Sequence, residues 1–180
     1  MLTLNVPGEE FFNDLTEEFV STEGFTLELE HSLASLSKWE SIYEKPFLGP
    51  AEKSEKETLA YIEAMVVSKN PPEDFLKKLS QSNFDEINNY INSTQSATTF
   101  RVEARGSGPK EIISSELIYF WMVSYRIPFE CETWHLNRLF SLIRICNLKN
   151  SKPNTMSRRE TAAQNRALNE QRRASPGTPG

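Results

Sequence analysis

Between Ser115 and Leu148 the apolar side chains recur at the spacing of a helix face, and a single proline, Pro128, interrupts them. A helix from Glu116 to about Arg126 opens after Ser114 or Ser115, either of which can cap it. Leu117 stands where a capping box needs glutamate, so that cap is an ordinary one. A second helix, Trp134–Leu148, starts from Glu132 or Thr133 and carries Leu136, Leu139, Phe140, Ile143 and Cys146 on one stripe, widened by Leu142 and Ile145. Few residues separate the two, so the spacing predicts an antiparallel helical hairpin. It would bury Phe120, Trp121, Trp134 and Phe140, each contributing about 1.5–3 kcal/mol, and be the best-packed part of the chain.

Upstream, Leu2–Val6 and Phe25–Leu29 alternate apolar and polar residues, with Pro7-Gly8 as a turn after the first. Thr98–Val102 is a third strand candidate, closed by Gly106-Ser107-Gly108-Pro109. Short strands of this kind suit a small antiparallel sheet with one solvated face. Glu55–Lys69 reads as a helix with Leu59, Ile62, Met65 and Val66 on its stripe, stopped by Asn70-Pro71-Pro72. Pro72-Glu73-Asp74 opens a shorter helix, and Phe84, Ile87 and Ile91 mark another. Trp39 is better read as a core plug at a sheet–helix junction than as a surface anchor, because a packed tryptophan hides so much area. The fold class expected is α+β: a mainly helical domain over residues 1–150 with a small N-terminal antiparallel sheet, and a flexible basic tail over residues 151–180.

The charge pattern divides the chain at the same place. Residues 149–180 carry seven basic and two acidic side chains, a net +5, which leaves −10 on residues 1–148 of a chain whose total is −5. An acidic body with a basic end marks an interaction tail. Arg158–Arg173 has high helix propensity, yet its apolar residues are only Ala162, Ala163, Ala167 and Leu168, so a nascent helix ordered by a partner is expected. Three roles compete for it: a solvated tail, binding to a partner helix, or nucleic acid. Partner-helix binding through Arg158, Arg159, Arg166, Arg172 and Arg173 leads, because arginine pairs well with carboxylates. Nucleic acid is disfavoured, since no aromatic is interleaved for base stacking.

No apolar run approaches the roughly 18 residues that span a bilayer, so no membrane partner is expected. Glu9 and Glu10 stand where a signal peptide needs basic charge. The 2 cysteines, Cys131 and Cys146, are too few for a disulfide framework, and a reduced cytosolic setting fits them best.

Catalytic, metal and cofactor sites find no support in the motifs. Cys131 and His135 are four apart, but a structural zinc site needs four convergent ligands, and with only 2 histidines and His31 far off in sequence, core packing is the better account. Ser32 beside His31 would point to the opposite face of a strand. There is no GxSxG elbow, and Cys146 reads as packing rather than as half of a thiol–imidazole pair. Asp14, Asp74 and Asp85 read as helix starts or surface, and Gly106–Lys110 lacks phosphate-loop spacing while Pro109 removes an amide donor. The chain is read as a non-enzyme.

Four stretches, in order, carry a resemblance: Leu29–Gly49 (LEHSLASLSKWESIYEKPFLG), Ile113–Met122 (ISSELIYFWM), Ile127–Asn147 (IPFECETWHLNRLFSLIRICN) and Arg158–Arg173 (RRETAAQNRALNEQRR). Together they resemble the tail assembly chaperones encoded just before the tape-measure protein in long-tailed bacteriophages. The resemblance implies a non-enzymatic factor that coats the helical tape-measure protein, keeps it soluble and recruits the tail-tube subunit. It implies action in the host cytoplasm during assembly and absence from the mature virion. Many members are also made as a longer frameshifted product. An exposed apolar helix face with a basic tail would cover the partner's apolar stripes, Tyr119, Arg126 and Arg138 being the contact residues picked on the hairpin. Many weak copies along one template would act by avidity, and a homo-oligomer is compatible with that. The rival readings are a virion structural part, such as a head–tail connector or neck protein, and a nucleic-acid-associated regulator acting through the basic tail.

Overall fold

A computed structural model describes residues 1–8, 10–13, 18–21, 23–100, 112–150, 162–163 and 165–170. By its contacts the chain divides into two units, Met1–Cys146 and Asn147–Gly180. The first is a mixed fold, predominantly helical, with small antiparallel strand pairs at its start.

Strand β1 (Leu2–Val6) pairs antiparallel with β4 (Phe25–Leu29), Leu4 opposite Leu27. Leu4, Val6, Leu27 and Leu29 are buried, while Thr26 Oγ1 donates to Asn5 Oδ1 at 2.9 Å on the wet face, the alternation read from the sequence. Between these strands the chain makes a separate hairpin, β2 (Glu10–Asn13) with β3 (Glu18–Ser21), which the pattern had not suggested. Gly24 lies where that excursion returns. A Cβ there would sit 2.9 Å from both Val6 O and Gly8 N, so only glycine lets the backbones meet.

Helix α1 (Leu33–Tyr43) follows at once, its capping box made by Ser32 and Ser35 rather than by a glutamate. Helix α2 (Glu55–Met65) is capped by Ser54 and Glu57, and α3 (Gln81–Asn92) by Ser80 and Asn83. Helix α4 (Ser115–Ser124) and helix α5 (Leu136–Asn150) come last, and short 3-10 turns occupy Phe75–Lys78 and Phe129–Thr133. Trp39 is fully buried at the centre, as expected: its Nε1 donates to Glu57 O at 2.8 Å and its ring stacks on Tyr43. Every buried side-chain N or O among the described residues has a hydrogen-bond partner.

Four expectations need correction. The close-packed hairpin does not form: α4 packs chiefly on α1, and its contact with α5 is slight at most. Arg126 turns left-handed (φ 56°), the Phe129–Thr133 turn redirects the chain onto α1, and the start of α5 is held elsewhere. Phe120 is consequently 63% exposed rather than buried. Helix α2 stops at Met65, before the prolines, because the next residues line the free edge of β4: Glu30 N donates to Met65 O and Val67 N to Glu28 O. Ladder bonds to a sheet edge outcompete one more helical turn. Of the third strand candidate, residues 98–100 are not a strand, and residues 101–102 lie outside the described residues with the Gly106–Lys110 loop.

In the second unit, residues 165–170 are helical and exposed, Leu168 included. Arg166 Nε donates back to Ala162 O at 3.2 Å. Arg158, Arg159, Arg172 and Arg173 lie outside the described residues. No helix among the described residues is long and apolar enough to cross a membrane.

Candidate partner-binding surface

Helix α4 is apolar around most of its girth, and its two sides end differently. Ser115, Ile118 and Met122 are buried on the side that meets α1. Phe120 and Val123, three residues apart and so neighbours on a helix surface, are 63% and 60% exposed. Just beyond the helix, Phe129 is 56% exposed, its ring tilted over Tyr119 at 6.3 Å. Tyr119 Oη donates to Glu132 Oε2 at 2.7 Å and ties the Phe129–Thr133 turn to α4. Burial and that carboxylate hold the Tyr119 hydroxyl above its ordinary range, so it stays a donor. Phe120, Val123 and Phe129 are thus exposed apolar side chains carried on α4 and the turn tied to it, and they form the candidate contact surface.

Two devices hold α4 rigid. At its start Glu40 Oε2 accepts Ser115 N at 2.7 Å while Oε1 accepts Phe47 N at 2.7 Å, so a buried carboxylate takes the place of a local cap. Ser114 is the N-cap residue by position, but its side chain makes no cap bond. At its end Ile127 N donates to Met122 O at 2.8 Å around the left-handed Arg126, closing the helix in Schellman fashion. The exposed face was legible only as helical periodicity; nothing in the sequence told which side would meet α1.

Of the sequence-derived contact residues, Arg138 is exposed on α5 with its guanidinium 4.2 Å above the Trp134 ring. Arg126 is exposed, Tyr119 half-buried, and Arg166 lies in the other unit.

The residues weighed for chemistry are mostly interior. Cys131 is buried, and burial followed by Glu130 pushes its thiol up, away from the nucleophilic thiolate. Cys146 is half-buried. The two histidines, distant in sequence, meet: the rings of His31 and His135 lie 5.2 Å apart, edge to face. His31 Nδ1 and Tyr61 Oη are hydrogen-bonded at 2.6 Å, and His135 Nε2 faces Tyr90 O at 3.0 Å. Burial above all, then the neighbouring His135, lowers His31 to about 4. Burial lowers His135 too, against the opposing pull of the Tyr90 carbonyl and Glu30. Ser32 is an N-cap, its hydroxyl committed to Ser35. Among the described residues no three His, Cys, Asp or Glu side chains converge as a metal ion would require.

No family model matches this chain, and neither a curated protein nor a solved structure matches it.

Proposed function

We propose that the chain is a non-enzymatic tail assembly chaperone of a long-tailed bacteriophage, which binds the tape-measure protein and aids tail-tube assembly. The observation that carries this reading is the exposed Phe120–Val123 face of α4, with Phe129 beside it, on a helix pinned at both ends. A long helical partner with apolar stripes is matched by such a face through helix-to-helix contact. The resembling stretches 29–49, 113–122 and 127–147 hold α1, most of α4 and the Phe129–Thr133 turn, so the residues that carry the resemblance lie in the frame of that face, with Val123 just outside them. The arginines of residues 158–173 supply charge for acidic positions on the partner, and repetition along one template supplies the affinity.

Tagged protein co-expressed with the tape-measure protein of the same phage, followed by capture and mass spectrometry, tests the reading. The partner is recovered with the intact chain and depleted at least tenfold with Phe120→Ser/Val123→Ser. Loss only on deleting residues 149–180 moves the contact to the basic segment. Recovery of head or neck proteins alone, or of nucleic acid that washes off in moderate salt, overturns the chaperone reading.

A further inference from the structure

The contact between His31 and His135 joins two junctions that are far apart in the chain. His31 lies between β4 and α1, and His135 immediately precedes α5. Around the rings the backbone is stitched across the same gap: Leu136 N donates to His31 O at 2.7 Å, and Ser32 bridges to His135. Both imidazoles are buried, at 4% and 5% exposure. Asn137 N points at His135 Nδ1 at 3.3 Å, which makes Nδ1 an acceptor and leaves Nε2–H to donate to Tyr90 O. That pattern fits only the neutral ring. A proton on Nδ1 would oppose the Asn137 amide hydrogen, and a charge on either ring would face the other.

The surrounding groups do little to accept such a charge. Tyr61 faces His31 from α2 and Tyr90 faces His135 from α3, both held above their ordinary range by burial and so neutral. Glu30, at the end of β4, is the nearby anion. Its carboxylate is already engaged by the Met1 ammonium at 2.8 Å and by Tyr90 Oη at 2.6 Å. Glu40 acts on Tyr61, while both its oxygens accept backbone amides.

We infer that the His31–His135 contact is an acid-sensitive latch: protonation of either ring releases the start of α5 from the β4–α1 junction while the β1–β4 ladder stays formed. Release uncovers the Leu136, Leu139 and Ile143 stripe, so the protein presents a second apolar helix face in mildly acidic surroundings.

Hydrogen exchange on the full chain from pH 8 to pH 4.5, corrected for intrinsic exchange rates, tests this together with the ring signals of the two histidines by NMR. Protection of the Leu136 amide is expected to fall roughly tenfold per pH unit below about 6 for each proton taken up, with β1–β4 amides unchanged. His135→Phe should remove most of that slope; if this variant does not fold, the wild-type ring titration decides. Rings that titrate near pH 6.5 with Leu136 still protected overturn the latch. So does loss of ladder and Leu136 protection together at one pH, because that is whole-domain unfolding.

Discussion

The Glu40 carboxylate, buried on α1, accepts the backbone amide of Ser115 at 2.7 Å across 75 residues of sequence. One oxygen starts α4, and the other holds the Phe47 amide of the loop after α1. A charge in a core is tolerated when its lone pairs are filled by donors, and here both oxygens are. Glu40→Ala leaves two buried amides without acceptors and should cost about 2–4 kcal/mol. Glu40→Gln keeps one acceptor and turns an NH2 toward the other amide, so it should lie between Ala and wild type. Urea unfolding midpoints check the order, and a Gln variant as stable as wild type contradicts the account.

Phe120 and Trp39 are aromatic residues with opposite expected outcomes. Phe120→Ser alters an exposed side chain and should change stability by no more than about 0.5 kcal/mol, while its effect appears in partner capture. Trp39→Phe loses the bond to Glu57 O and leaves a void beside Tyr43 and Phe47, at a cost of about 2–3 kcal/mol. Thermal melts of the two variants separate the core role from the surface role.

Asn137 Nδ2 donates to Ile91 O at 3.1 Å and to Ser93 O at 2.8 Å, so the first turn of α5 caps the last carbonyls of α3. Asn137→Ala should destabilise by about 1–2 kcal/mol and raise hydrogen exchange at the end of α3. Asn137→Asp removes the donors and sets a carboxylate against two carbonyls, which should be worse than alanine. Equal stabilities for the two variants would argue against a capping role.

His31 is lowered to about 4 in the folded chain from an ordinary 6.5. The unfolded chain therefore binds the proton first. The stability that comes from keeping His31 neutral is fully present above pH 6.5 and is lost as pH falls toward 4, by about 2–3 kcal/mol at pH 4.5. The depressed carboxyls of Glu57 and Glu116 add their own loss at lower pH, so the measurement is a difference. Denaturant unfolding at pH 7.5 and 4.5 should show a smaller drop for His31→Phe than for wild type. Identical drops would mean that His31 is not the titrating group.

Local pattern was a good guide wherever one element satisfies itself. Leu2–Val6 and Phe25–Leu29 are strands end to end, because alternation is a property of each strand alone. The helices of residues 115–150 were also legible, but their partners were not. Periodicity says that a helix has an apolar side and is silent when a helix such as α4 is apolar on both sides. Hence Phe120 was placed inside, and the face that carries the proposed partner contact was missed.

By itself, then, the sequence determined the strands Leu2–Val6 and Phe25–Leu29 and the presence of helices α2 to α5, though not α1 or the β2–β3 hairpin, together with a core place for Trp39 and a charge split between an acidic body and a basic end. Those properties depend on neighbours within a few residues or on a plain count. Tertiary structure alone decided that α4 lies on α1, that Glu40 starts it from 75 residues away, that β4's edge ends α2 at Met65, and that His31 meets His135. Each of these is a long-range pairing in which burial selects one of several faces the chain offered equally. The selection depends on how all the faces pack together, which no local spacing encodes.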